Sequence, residues 1–137
     1  MAMTASGVGP QGYRAEYPAD AKLASNVRDE VSLALKVWFL PELIWPTRQI
    51  ASELFANAVD HTSSASIGVT IVRIEPLAVR LEVADSSPVY PKILLVSDSD
   101  EAGRGLVVVE QLSRGWGVEL TPNGKYVWAE VPLDLTS

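Results

Sequence analysis

"SIGVTIVRIEPLAVRLEVAD", residues 66–85, decides the fold. Apolar and polar residues alternate in "SIGVTIVRIE" and again in "LAVRLEVAD". β-Branched residues dominate both, the pattern of half-buried strands. The strands are joined tightly around Pro76 and Leu77, so they pair antiparallel. Upstream the period is helical. From Asp20, a suitable N-cap, apolar residues recur at Leu23, Val27, Val31, Ala34, Leu35 and Trp38, and Pro41 ends the helix. A second helix is predicted over Thr47 to His61, burying Ile50, Ala51, Leu54 and Ala58. Trp38 and Trp45 flank the connection and are expected in the core.

Downstream, residues 85–103 read as a long polar loop carrying Pro88, Pro91 and "SDSDEAG". "GRGLVVVEQLSRGWG" follows as a helix opened by glycines and closed by Gly115. The chain ends in a hairpin, "GVEL" and "KYVWAEVPL", around the Asn-Gly turn of "TPNG". "YRAEYP" near the start reads as a short edge strand. Hairpins beside unalternated helices give an α+β two-layer sandwich, helices on one face of a mixed, largely antiparallel sheet. Residues 1–12 read as a loose arm and 13–137 as one domain. A 137-residue chain is large enough for a core without staples.

Composition narrows the function. Seventeen acidic residues against eleven basic give a net charge of −6. That surface repels phosphate backbones, so direct nucleic-acid binding is not expected. There is no cysteine, which excludes disulfides and thiolate metal sites and fits a reducing cytoplasm. Neither a signal peptide nor a membrane-length apolar run is visible.

The polar residues of "ELFANAVDH", residues 53–61, stand out. Glu53, Asn57 and His61 fall four apart, on one helical face. They form an ordinary wet face or a carboxylate, an amide and an imidazole aimed into a site. Glu53 has the chemistry of a general base. The Asn57 oxygen suits one position of an octahedral Mg²⁺ otherwise held by phosphates and water. His61, the single histidine, is placed to cap the helix C-terminus. Asp85 closes a strand, where a carboxylate can accept from an amine such as adenine's or simply start a turn. Gly103 and Gly105 around Arg104 would let backbone approach a phosphate at a helix start, or only make the loop flexible. Lys125 would add a cation to such a site or, following the Asn-Gly turn, reads as a solvated hairpin lysine. On the last strand Val127, Ala129 and Val131 alternate with Tyr126 and Trp128. The aromatics would face away from the helices, toward a partner, or pack with Trp116 or the arm.

In order, these pieces resemble the GHKL ATPase superfamily, which includes gyrase, heat-shock chaperone ATPases and histidine kinases. "SELFANAVDH" is similar to its N box, "VADSS" with the following Pro88 to its first glycine box and "EAGRGLVVVEQLSRGWGVE" to its second. The short length and "GRGL…LSRGWGV…GKYVWAE" resemble the small stand-alone anti-sigma-factor serine kinases. The resemblance spans about Tyr13 to Pro132 and implies the Bergerat ATP-binding fold. It implies Glu53 as general base toward a partner's serine, Asn57 as Mg²⁺ ligand and Asp85 as reader of the adenine amine. Gly103, Arg104, Gly105 and Leu106 would form the lid and helix start around the phosphates of ATP. The implied partners are an anti-anti-sigma-type protein and a sigma factor, and the family commonly pairs as a homodimer. A binding module without catalysis, even without nucleotide, is the alternative on the same fold. One departure is plain. Where the family reads D-x-G-x-G, Asp85 is here followed by Ser86, Ser87, Pro88 and Val89, without either glycine. The stretch from Pro91 to Gly103 carries Asp98, Asp100 and Glu101, whose charges oppose a triphosphate unless Mg²⁺, Lys92 or Arg104 compensates.

Overall fold

The computed structural model describes residues 4–5, 11–61, 65–86 and 101–135, with backbone alone at 4–5, 61 and 101–105. The strands are β1 (Thr4–Ala5), β2 (Gly12–Pro18), β3 (Ser66–Glu75), β4 (Ala78–Asp85), β5 (Gly115–Thr121) and β6 (Gly124–Pro132). The helices are α1 (Ala24–Val37), α2 (Ile44–His61) and α3 (Glu101–Leu112). The sheet order is β1-β2-β3-β4-β6-β5, and every pairing among the described residues is antiparallel. The predicted two-layer sandwich is therefore present, without a parallel strand pair. "YRAEYP" belongs to a seven-residue strand with β1 on one side and β3 on the other, so it is no edge.

Alternation assigns the two faces. Tyr17, Ile67, Val69, Ile71, Val79, Leu81, Ala129 and Val131 are buried on the helical side. They share one core with Val27, Val31 and Leu35 of α1 and Ile50, Ala51, Leu54 and Phe55 of α2. Each fully buried large aliphatic or aromatic side chain contributes about 1.5–3 kcal/mol, which is why the sequence's apolar stripes map onto this seam. Tyr17 meets Phe55 edge-on at 6.0 Å between ring centroids.

The ends of the helices follow local chemistry. Asp20 accepts from the Lys22 N–H at 2.9 Å and starts a short 3₁₀ turn that leads into α1. Pro41 does not stop α1. The helix has already ended at Val37, where the Phe39 N–H donates to the Lys36 carbonyl and the Leu40 N–H to the Leu35 carbonyl. This is a Schellman closure with Phe39 in the left-handed region at φ 57°. α2 begins at Ile44, three residues before the predicted start. Pro46 is tolerated because the first helical N–H groups need no intrahelical acceptor. Trp38 is buried and lies 5.5 Å from Tyr13, ring centroid to ring centroid. Trp45, by contrast, is 63% exposed and not part of the core, because it sits in the first turn of α2 on the solvent side.

α3 starts at Glu101, so Gly103 and Gly105 lie within its first turns instead of ahead of it. The last hairpin turns on Pro122 and Asn123, and Gly124 is already paired with Thr121. Of the expected arm, Gly12 already belongs to β2, while residues 1–3 and 6–10, and the loop residues Pro88, Pro91, Lys92, Asp98 and Asp100, lie outside the described residues. No helix among the described residues is long and apolar enough to cross a membrane.

Candidate functional site

Asp85 and Lys125 meet at one end of the sandwich. The registers Gly68↔Ala84 and Asp85↔Lys125 bring the start of β3, the end of β4 and the start of β6 together. α2 runs into β3 across residues 62–65, so its last turn, just past Asn57, reaches the same end.

α2 is the central helix, packed against both α1 and α3. On the α1 side, Arg28 donates to Ser52 at 3.1 Å and Arg48 to Ser32 at 2.8 Å. At about 3.6 residues per turn, Glu53 and Asn57 fall on the side of α2 turned away from that contact. Both are half-buried, and neither makes a hydrogen bond or ion pair among the described residues. Their carboxylate and amide are thus uncommitted, while Ile50, Ala51, Leu54 and Phe55 of the same helix are buried and Ala58 is half-buried. Leu106 on α3 is half-buried. The side chains of His61 and Arg104 lie outside the described residues, as do the roles expected of Gly103 and Gly105.

Asp85 is not a surface turn residue. Its Oδ1 accepts from Lys125 Nζ at 3.0 Å, and the two side chains are only 4% and 3% exposed. Lys125 is therefore no solvated hairpin lysine. It shares the parity of Val127, Ala129 and Val131, so it enters the helical side and must find a counter-charge there. The close approach that makes this pair needs Gly124, whose added Cβ would lie 2.1 Å from the Asp85 carbonyl oxygen. A cavity of about 260 Å³ adjoins the pair, lined by Gly68, Ala84, Ser86, Asn123 and Tyr126 among others. That is smaller than the usual ligand pocket of about 300–1,000 Å³.

Among the described residues, the other face of the sheet carries no helix. Trp128 lies there, with the Arg80 guanidinium 4.4 Å over its ring centroid. Arg80 also pairs with Glu82 at 2.9 Å and Glu130 at 3.3 Å. Arg114 bridges Glu130 and Glu75, and its hydrogen bond and charge hold the Glu75 carboxyl below its usual range. Trp116 packs on the helical core instead. Trp128 and Trp116 thus occupy opposite faces, and Trp128 is roofed by Arg80 within its own chain.

Among the described residues no group of three or more His, Cys, Asp or Glu side chains could hold a metal. A divalent ion at this end would need oxygens from a ligand, to which the Asn57 amide can add one. The uncommitted Asn57 oxygen fits that limited part.

A family model described as "Histidine kinase-like ATPase domain" matches residues 17–131. No curated protein matches the chain.

Proposed function

The chain belongs to the histidine kinase-like ATPase domain family, and from that membership we propose that it binds Mg²⁺·ATP and phosphorylates a serine of a regulatory protein. The observation that carries this reading is the uncommitted pair Glu53 and Asn57, half-buried on the central helix near the sheet end that bears Asp85.

In this reading Glu53 takes the proton from the serine hydroxyl as its oxygen attacks the γ-phosphorus. The bond from that phosphorus to the β,γ-bridging oxygen breaks and ADP leaves. Such transfer needs positioning and charge neutralisation more than covalent help, so few side chains suffice. Asn57 would hold Mg²⁺ together with phosphate oxygens, and the ion would neutralise phosphate charge. Gly103, Arg104, Gly105 and Leu106 would border the phosphates, and Asp85 the base. The partner is of anti-anti-sigma type, and the output is release or capture of a sigma factor. Binding to protein rather than nucleic acid is supported by the net charge of −6. Exposed Leu33, Val37, Phe39 and Trp45 leave apolar surface for such contacts.

A second reading, an interaction module that needs no nucleotide, is favoured by one observation. The carboxylate expected to meet the adenine amine is already held by Lys125. Calorimetry with ATP, with and without Mg²⁺, separates the two. Metal-dependent binding that Asn57→Ala loses supports the kinase reading. Absence of binding at millimolar ATP supports the module.

A further inference from the structure

Lys125 has no part in the proposed transfer, yet it is one of the few buried charges among the described residues. Lysine is almost never fully buried unless paired. An exposed hairpin lysine would extend its amine into water. Here β6 starts so close to the end of β4 that Lys125 is opposite Asp85 in register. Its amine stays beneath the surface, 3.0 Å from the carboxylate.

We propose that Lys125 sets both the affinity and the base selectivity of the nucleotide site by occupying the carboxylate that would read the base. The inference rests on the reading of this end of the fold as a nucleotide site. A neutral exocyclic amine and an ammonium compete for the same carboxylate. Both bonds engage the carboxylate, but only the ammonium brings a full opposite charge to it below the surface, and the lysine is tethered whereas the base arrives from solution. The tethered ammonium wins. With both side chains at 3–4% exposure, a base amine reaches Asp85 only after Lys125 has left. The wild-type protein therefore binds adenine nucleotide without using the 6-amino group. It treats a purine lacking that amine almost as an equal.

The test compares Mg²⁺·ATP with the Mg²⁺ complex of purine riboside triphosphate, which lacks the 6-amino group. Dissociation constants are measured by calorimetry on the full chain and on Lys125→Ser. Serine keeps a donor beside Asp85 while removing the charge and the length. Cooperative thermal unfolding establishes that the variant is folded. The wild type is expected to bind the two triphosphates within about threefold of each other. Lys125→Ser is expected to bind ATP at least about tenfold tighter than wild type, and to prefer ATP by about tenfold, as a hydrogen bond to a charged group implies.

A wild type that already prefers ATP tenfold overturns the inference, because Asp85 then reads the amine with Lys125 in place. So does a folded Lys125→Ser whose ATP affinity is unchanged or weaker, since Lys125 is then structural or a base contact itself. Should the variant not fold, the wild-type comparison decides alone. If neither chain binds either triphosphate, the nucleotide reading falls and this inference with it. The first two outcomes, by contrast, leave that reading intact.

Discussion

Gly124 lies against the backbone of Asp85 so closely that a methyl group on it would stand 2.1 Å from the Asp85 carbonyl oxygen and 2.6 Å from the Ser86 Cα. Backbone atoms cannot rotate away as a side chain would. Gly124→Ala must therefore push β6 from β4 at the point where Lys125 meets Asp85. Overpacking of this kind costs about 1–3 kcal/mol, and loosening a buried ion pair adds to it. The expected loss is about 3 kcal/mol, read from the urea midpoint. A loss under about 1 kcal/mol would mean that the two strand ends separate easily.

A second glycine makes room for a ring. A Cβ on Gly117 would lie 2.9 Å from Trp128 Nε1 and 3.0 Å from Cε2 and Cζ2. The indole is held on its other side by Arg80, so it cannot simply lift. Gly117→Ala is expected to cost about 1–2 kcal/mol and to alter the near-ultraviolet dichroism of the tryptophans. An unchanged spectrum at unchanged stability would show that the indole is free to tilt.

Alkaline unfolding reports on Tyr17. Its side chain is fully buried, and its hydroxyl has no hydrogen-bond partner among the described residues. Burial, with the charge of Glu30 adding to it, pushes the phenol up to about 12 from 10.0. The folded state thus holds the proton more tightly than the unfolded state. The resulting stability is fully present below pH 10 and is lost as pH rises from about 10 through about 12. It amounts to about 2–3 kcal/mol in all. Tyr17→Phe should flatten that loss, and it should be near neutral at pH 7 because no hydrogen bond is broken. Equal alkaline loss in both proteins would place the titrating group elsewhere.

How much of this was legible in the sequence depends on what fixed each feature. The hairpin of β3 and β4 and the stripes of α1 and α2 are set by burial, which periodicity records. The stop of α1 is not. Phe39 adopts a conformation that glycine usually supplies, so residue identity hid the closure and Pro41 attracted the assignment instead. Lys125 was legible in part. Val127, Ala129 and Val131 mark the helical side, and residue 125 shares their parity, as Asp85 shares that of Val79, Leu81 and Val83. The Asn-Gly signal pointed the other way, toward a solvated turn. Only the register across β4 and β6 shows the two charges to be partners, and register between distant strands is not written in either strand alone.

Phe39 itself gives a stabilising prediction. At φ 57° it carries the strain of a non-glycine residue in the left-handed region, and its ring is 88% exposed. Little packing is lost on truncation, and the Schellman bonds are made by backbone. Phe39→Gly is expected to raise stability by about 0.5–1 kcal/mol, the relief of strain exceeding the added freedom of the unfolded chain. A decrease in the thermal midpoint would show that the ring packs in a way its exposure does not reveal.

Glu53 separates chemistry from structure. It is half-buried and makes no hydrogen bond among the described residues, so Glu53→Gln should leave stability within about 0.5 kcal/mol of wild type. Glutamine keeps the shape and the partial burial but cannot accept the proton of an attacking hydroxyl. If Glu53 is the general base, the variant should bind Mg²⁺·ATP as wild type does. It should also transfer labelled phosphate to a cognate anti-anti-sigma-type protein about 10²–10⁴-fold more slowly. Lost nucleotide binding would instead make Glu53 part of the binding surface. Transfer within threefold of wild type would exclude it as base and leave proton removal to another group at the same end of the sheet.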